Sequence, residues 1–341
     1  MAQRAVDWFE KITGFTEAGY EETRRLLSVR RGLLHSRRAS LPWSVGTLET
    51  PTLAELRRRA ADQFAGCEPT RVRCIVADAR ALHALAPNAG AMFQVASQFN
   101  LLEMTGPDVT PESGVTRYQN DRTQGPACAL AAGAATIYRN YFVPVGNGHG
   151  QRADMQIDCL ADVGRALGND ADQLWTMRNG YALCTDQGLT AIDQRLLALD
   201  EKGIDALRGA LRIGLHWDVD VTDLPAPGHR VSQAFCSALP VAYQRHSVDR
   251  WSRFARLVLE AAYEATLISA VLNHAKHGSS TVFLTRLGGG AFGNDPDWIH
   301  AAIHRALICV RTAGLDVRLV SYGAVPRELQ AIADAFAESR E

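Results

Sequence analysis

No C-x-x-C pair occurs in this chain, and its cysteines, Cys67, Cys74, Cys128, Cys159, Cys184, Cys236 and Cys309, make an odd count. Such spacing suggests neither a zinc site nor a disulfide framework and fits a reducing compartment. There is no H-E-x-x-H and no tight Cys/His cluster, so no metal is implied. His274 and His277, three apart, read as surface residues. An excess of charge of one sign is also lacking: the net charge is −1, and no overall field favours nucleic acid. The longest apolar stretch, Ala127 to Ile137, is too short to span a bilayer. The N-terminus, Met-Ala-Gln-Arg-Ala-Val-Asp-Trp, has no signal-peptide core. Internal repeats and low-complexity segments are missing. With 47% hydrophobic and 21% charged residues, the composition is that of an ordinary globular protein. The expectation is a soluble protein with no membrane or nucleic-acid partner, cytoplasmic or exported as an effector without a cleavable signal.

What stands out is Leu284-Thr-Arg-Leu-Gly-Gly-Gly-Ala-Phe-Gly-Asn294. An apolar strand, Thr281 to Leu284, runs into a glycine loop and then into Asp295-Pro296-Asp297, which opens a helix. Glycines let backbone N–H groups approach a ligand closely, and successive amides beside a helix start form an anion-binding concavity. Gly288, Gly290 and Gly293 fit G-x-G-x-x-G, a weak pattern by itself. A dinucleotide fold needs an acid at the end of the next strand, Val317 to Tyr322, which instead ends in Ser321, Tyr322 and Gly323. A P-loop is excluded, because no Lys-Ser or Lys-Thr follows the glycines. The bland alternative is a tight strand-to-helix turn, although a simple turn needs fewer glycines.

Residues 1–70 read as a helical N-terminal extension, with a capping box at Thr52 and Glu55 opening a helix to Phe64. Arginine pairs at 24–25, 30–31 and 37–38 and a triple at 57–59 read as a solvated helix face, with Glu17, Glu21, Glu22 and Glu55 interspersed. Strands follow at Val72–Val76 and Met92–Ser97, then a long loop from Leu101 to Arg122 and a helix from about Thr123 to Tyr141. Residues 145–212 read as an insertion with helices near 155–167 and 190–211 and a strand at Tyr181–Cys184. Strands return at Leu211–Trp217 and Val231–Phe235. A long helix covers Val248 to Lys276, and a last helix begins at Pro326. This alternation argues a three-layer α/β domain over 71–341.

Four pieces stand in order: Asp78-Ala79 closing the first strand, Val95-Ala-Ser-Gln-Phe-Asn100 after the second, Tyr118-Gln-Asn-Asp-Arg-Thr-Gln-Gly-Pro-Ala127, and the glycine loop. With them the chain resembles the macrodomain family, which binds ADP-ribose, over about 71–145 and 212–336. The resemblance implies a macrodomain-like α/β/α sandwich in which Asp78, with Ala79, takes adenine and Asn100 places the distal ribose. Leu287, Gly288, Gly289, Gly290, Ala291, Phe292, Gly293 and Asn294 form a phosphate loop, with Phe292 packing on a ribose. Where the family's first phosphate loop is glycine-rich, this chain has Leu101-Leu-Glu-Met-Thr105. Its counterpart is postponed to Thr123, Gln124 and Gly125. The chain is thus similar to the divergent glycohydrolase-type macrodomains of bacterial effectors, which remove ADP-ribose from arginine, as on ubiquitin. The resemblance implies no cofactor, ADP-ribose as ligand or product, and an ADP-ribosylated protein as partner.

Breaking the bond at the ribose anomeric carbon passes through an oxocarbenium-like state, which carboxylates stabilise while they activate water and protonate the leaving group. Asp121, just before a helix start, and Glu103, three residues past Asn100, are the catalytic candidates. Asp121 serves equally as a helix cap and Glu103 as a solvated loop acid; Asp108 and Glu112 read as solvated. Two other classes remain: a reader that holds ADP-ribose without cleaving it, and a cysteine hydrolase using Cys128 at a helix start with His216, His246 or His274 as base. Gly289→Val is expected to put a side chain where phosphate must sit.

Overall fold

The computed structural model describes residues 6–63, 68–226 and 228–338. Phe64, the expected helix end, and Cys67 lie outside the described residues, as do residues 1–5 of the N-terminal reading. The N-terminal region opens with α1 (Trp8–Thr13), capped by Asp7 through the Glu10 N–H at 2.8 Å, and α2 (Tyr20–Leu26). It is not wholly helical. Strands β1 (Leu27–Arg30), β2 (Leu33–Ser36) and β3 (Trp43–Ser44) form a small antiparallel sheet, and β4 (Thr47–Glu49) joins the main sheet. Arg31 and Gly32 both take positive φ, which turns the chain into a hairpin where the arginine pairs had suggested a helix face. The capping box at Thr52 and Glu55 is formed and opens α3 (Leu53–Ala60). The acids expected among the arginines are used elsewhere. Glu17 accepts from Val115 N, Thr116 N and Tyr141 Oη, and Glu21 pairs with Arg152.

The main domain begins with β5 (Arg71–Val76), α4 (Ala79–Ala84) and β6 (Met92–Ala96). The helix expected over 123–141 is two, α5 (Gln124–Ala131) and α6 (Gly133–Tyr141), broken at Ala132. Thr222 causes the break: its N–H donates to Ala131 O, and its hydroxyl accepts from Gly133 N at 2.9 Å, replacing helical bonds. Residues 145–212 hold β7 (Pro144–Val145), β8 (Gly148–His149), α7 (Ala161–Leu167), β9 (Trp175–Arg178), β10 (Tyr181–Cys184), α8 (Asp186–Leu197) and α9 (Glu201–Ala210). The chain ends with β11 (Gly214–Asp220), β12 (Arg230–Cys236), α10 (Val248–His277), β13 (Thr281–Leu284), α11 (Pro296–Cys309), β14 (Asp316–Ser321) and α12 (Arg327–Glu338).

Seven strands form the sheet in the order β4-β11-β12-β6-β13-β14-β5. From β12 to β5 all neighbours are parallel, while β11 runs antiparallel to β12 and β4. Strand alternation sorts the side chains onto two faces. Val282 and Leu284 pack into the larger core with α3, α10, α11 and α12, whereas Phe283 packs on the opposite face, stacked on Phe93 at 4.5 Å. Helices α4, α5 and α6 cover that second face. The result is the three-layer α/β/α arrangement expected from the sequence. Helix α10 is buried along most of its stretch from Leu257 to Asn273, which explains why apolar and small residues dominate there while most of its charged residues gather towards its two ends.

One acidic side chain in α10 ties three elements together. Glu264, 3% exposed, accepts from Arg57 Nε of α3 at 2.6 Å and from Arg305 of α11. Arg57 also forks onto Asp205 of α9, at 2.7 and 2.9 Å. Removing the buried acid leaves two guanidiniums facing each other. Glu264→Ala is therefore expected to lower stability by on the order of 2–3 kcal/mol, read as a lower urea midpoint at unchanged slope. A midpoint equal to that of the parent would mean that the network is not holding the layer.

Candidate functional site

Strands β6 and β13 pair only at Met92–Val282 and Phe283–Phe93, then part. Their chains also leave in different directions, β6 towards α5 on one face and β13 towards α11 on the other. Such a switch point is where open α/β sheets bind ligands, beyond the carboxyl ends of the strands. Side-chain amides satisfy the main-chain groups left open by the parting. The Gln124 carboxamide accepts from Ala96 N at 2.9 Å and donates to Gln94 O at 2.7 Å. The Gln94 carboxamide accepts from Thr285 N at 3.2 Å and donates to Thr266 Oγ1. The expected phosphate contact Gln124 thus spends its side chain on β6 and keeps only its N–H for a ligand.

The cavity beyond this gap has a volume of about 410 Å³, in the range of small-molecule sites. Its lining reaches from Asp78 after β5 and Tyr322 after β14 to Glu103 after β6 and Ala238 after β12. Four inter-strand steps of about 4.8 Å make that roughly 19 Å, so the cavity suits an elongated ligand. Of the residues expected at the site, Asp78, Ala79, Glu103, Asp121, Thr123, Gln124, Gly125, Leu287, Gly288, Gly289, Gly290, Ala291 and Phe292 line it. Gly293, Asn294 and Asn100 do not.

Each of those three has a local task. Gly293 (φ 68°) turns the loop back against Ala242, and Asn294 is buried with Nδ2 on Leu239 O at 2.8 Å. Asn100 is fully buried: Oδ1 accepts from Leu102 N, and Nδ2 donates to Gln156 Oε1 at 2.8 Å. It clamps the inserted segment instead of facing a ribose. Gly180 sits over it, where a Cβ would meet Gln98 Cβ at 2.6 Å and Asn100 Cγ at 2.7 Å. With Asn179 (φ 48°) and Gly180 (φ 81°), β9 and β10 close as a two-residue hairpin. That hairpin delivers Tyr181, read in the sequence only as the start of a strand, into the cavity wall. Its ring lies 5.3 Å from Phe292 and 5.0 Å from Tyr243. Asn-Gly between two β-rich runs is the strongest short-range hairpin signal and marked the place.

Two rows of amides face the cavity. Among the described residues, the N–H groups of Gly290, Ala291 and Phe292 have no protein acceptor, nor do those of Gln124 and Gly125 at the start of α5. Unpaired amides of this kind, beside a helix start, hold anionic oxygens. Gly288 (φ 74°) permits the loop, because a Cβ there would overlap Ala238. At Gly289 a Cβ would instead meet Ile299 Cδ1 at 3.1 Å and Arg286 O at 3.3 Å. A valine at Gly289 therefore presses on the loop's own packing, contrary to the expectation that it would occupy the phosphate position. Gly290 is the glycine whose Cβ would meet open space. Arg122 and Arg286, both exposed on the rim, make no ion pair among the described residues and supply positive charge beside the amides. Tyr322, 83% exposed, offers a ring at the β14 end.

Glu103 is not a solvated loop acid. It is 4% exposed, and its Oε1 has no protein partner. Burial pushes its proton affinity well above the ordinary carboxyl range; the Arg139 charge works against that and the Asp121 charge with it. Gly125 makes the fit possible, since a Cβ there would overlap Ala96 O and the Glu103 carboxylate. Asp121 accepts from Thr123 N at 2.8 Å and Thr123 Oγ1 at 2.7 Å through Oδ1. It serves the helix start while lining the cavity. Cys128 does not line it. The thiol is fully buried, burial raises its pKa well above the ordinary value, and Gln124 Nε2 donates to it at 3.2 Å. Among the proposed bases, His216 bonds Arg139, and His246 bonds Asp186 and Cys184 O. A thiolate nucleophile has no support in this arrangement. Among the described residues, no group of three or more His, Cys, Asp or Glu is placed to hold a metal ion, and no helix is long and apolar enough to cross a membrane.

No family model and no curated protein matches the sequence. Solved structures do. The chain is similar to a poly(ADP-ribose) glycohydrolase from Thermomonospora curvata, at 14% identity over 85% of each chain with a TM-score of 0.42. It is also similar to a poly(ADP-ribose) glycohydrolase from Deinococcus radiodurans in complex with ADP-ribose, at 13% identity over 86% of this chain and 94% of that one, with a TM-score of 0.44. Likeness of this degree leaves the chemistry of the cavity to be read from its own residues.

Burial gives Glu103 a testable signature. Its folded pKa lies above that of an unfolded carboxyl, about 4.3. The stability it contributes is full below that value and is lost as pH rises through the folded pKa. Glu103→Gln carries no such proton. Its stability relative to the parent, read from urea midpoints, is expected to climb as pH rises from about 4. A difference that stays flat with pH would contradict a buried, proton-holding carboxyl.

Proposed function

We propose that this protein is an ADP-ribosylhydrolase that removes ADP-ribose from a modified protein side chain, arginine being the candidate residue and ubiquitin a candidate carrier. The observation that carries this reading is the buried, unpartnered Glu103 carboxyl at one end of an elongated cavity whose middle is lined by two rows of free amides. The resemblance to macrodomains in sequence order points the same way.

In this reading Asp78 and Tyr322 hold the adenosine end. The amides of Gln124, Gly125, Gly290, Ala291 and Phe292 hold the diphosphate, with Arg122 and Arg286 as counter-charges. The distal ribose lies towards Tyr181, Phe292 and Glu103. The bond between the anomeric carbon and the side-chain nitrogen breaks, and water supplies the oxygen that replaces it. Glu103, protonated by virtue of its burial, gives its proton to the leaving nitrogen. Asp121, one oxygen occupied by Thr123, uses the other to orient the water and offset positive charge at the ribose, and the proton that the water loses passes to the Glu103 carboxylate, restoring the acid. A reader that only holds ADP-ribose has no use for a buried carboxyl, which costs stability. We assign choice of the protein substrate to the inserted segment 145–212, which contributes Tyr181.

The test is release of ADP-ribose from an arginine-ADP-ribosylated protein. Glu103→Gln and Asp121→Asn are each expected to lower turnover by about 10²–10⁴ while ADP-ribose affinity stays close to the parent's. Saturable binding with no turnover in the parent protein would favour the reader. Unchanged turnover in both variants would remove these acids from the reaction.

A further inference from the structure

Behind Glu103 lies a charge that the reaction above does not use. Arg139 of α6 is fully buried, and burial lowers its pKa to about 10. A guanidinium removed from water costs several kcal/mol unless its donors are satisfied. Here Nε donates to Leu101 O at 3.1 Å, one terminal nitrogen to Thr136 Oγ1 at 2.9 Å, and the other to His216 Nδ1 at 3.2 Å. The guanidinium lies 3.9 Å over the Phe235 ring. His216 must offer a lone pair at Nδ1, and burial keeps it neutral by holding its pKa well below the ordinary value. Arg139 makes no ion pair with any carboxylate among the described residues, which is uncommon for a buried cation.

Its first acceptor is informative. Leu101 has φ 65°, the left-handed region that a leucine adopts only under constraint. The constraint is a turn in which Leu101 N donates to Gln98 O and Leu101 O receives Arg139. Two residues later the turn delivers Glu103, whose N–H donates to Tyr118 Oη at 3.0 Å. The groups facing Glu103 are therefore Arg139 of α6, Asp121 and Cys128 around the start of α5, Tyr118 of the turn Thr116–Asn120, and Tyr181 of β10. Of these only Arg139 is positive.

We infer that Arg139 is a positioning residue for Glu103: bound to Leu101 O, Thr136 and His216, it fixes the strained turn that carries the carboxyl and lets that buried group lose its proton as well as hold it. A general acid must be restored after each turnover, and a carboxyl buried among neutral and acidic groups alone would keep its proton. The inference rests on the proposed role of Glu103, yet it can be tested without substrate. Glu103 is followed by carboxyl-carbon NMR across a pH titration of the ligand-free protein, with its signal assigned from Glu103→Gln. Arg139→Met, similar in length and uncharged, is expected to move the midpoint upward by about one pH unit or more. Arg139→Lys keeps the charge without the planar fork. It is expected to hold the midpoint near the parent's while turnover falls at least tenfold and ADP-ribose affinity is kept. An unmoved midpoint in folded Arg139→Met would overturn the inference. If that variant does not fold, Arg139→Lys decides: turnover equal to the parent's overturns it, and loss of turnover with retained affinity supports it. If the parent shows no hydrolysis at all, the hydrolase reading fails while the titration still stands or falls by itself.

Discussion

The parting of β6 from β13 is the constraint on which the rest of the site depends. Two strands that pair at two positions and then separate leave main-chain donors and acceptors without partners, and buried groups of that kind must be satisfied. Gln124 and Gln94 satisfy them with side-chain amides, one reaching from α5 and the other across the gap. Because Gln124 is pinned to β6, the start of α5 is fixed at the mouth of the gap. Its free N–H groups then lie opposite those of the glycine loop after β13.

The same gap explains the burial of Glu103. Glycine at position 125 lets α5 approach β6 closely enough to shut the carboxyl in. A side chain there would have pushed the helix away and left Glu103 in water. Burial raises the group's proton affinity at the expense of stability, a trade common at sites where a proton is handled. The inserted segment closes the other side. Its hairpin turn docks on Asn100 and Gln98 and brings Tyr181 against Phe292. An element that looks like an addition to the fold therefore supplies part of the wall.

Features set by neighbours in sequence were legible before the structure. The capping box at Thr52, the proline-led start of α11, the glycine loop and the alternation of strands with helices all follow from local rules, and each is present. Most expected site residues line one cavity for the same reason: loops at the carboxyl ends of parallel strands meet there. What was not legible depended on distant partners. Ala132 interrupts a helix because Thr222 intrudes, and nothing near Ala132 says so. Asn100 stood where the resemblance put a ribose contact, but Gln156 and Gly180, far along the chain, take it for packing. Arg30 and Arg31 looked like a helix face, but the positive-φ turn at Arg31 and Gly32 makes a hairpin there. Glu103 was named among several loop acids, yet only its surroundings distinguish it from Asp108, which pairs with Arg178 at the surface.

Calorimetric titration of the purified protein with ADP-ribose, beside adenosine and NAD, tests the central claim most directly. If the two amide rows hold a diphosphate, ADP-ribose binds saturably with one site, and adenosine, which lacks the diphosphate, binds far more weakly. No heat from ADP-ribose, or equal affinity for adenosine, would contradict the account of the cavity.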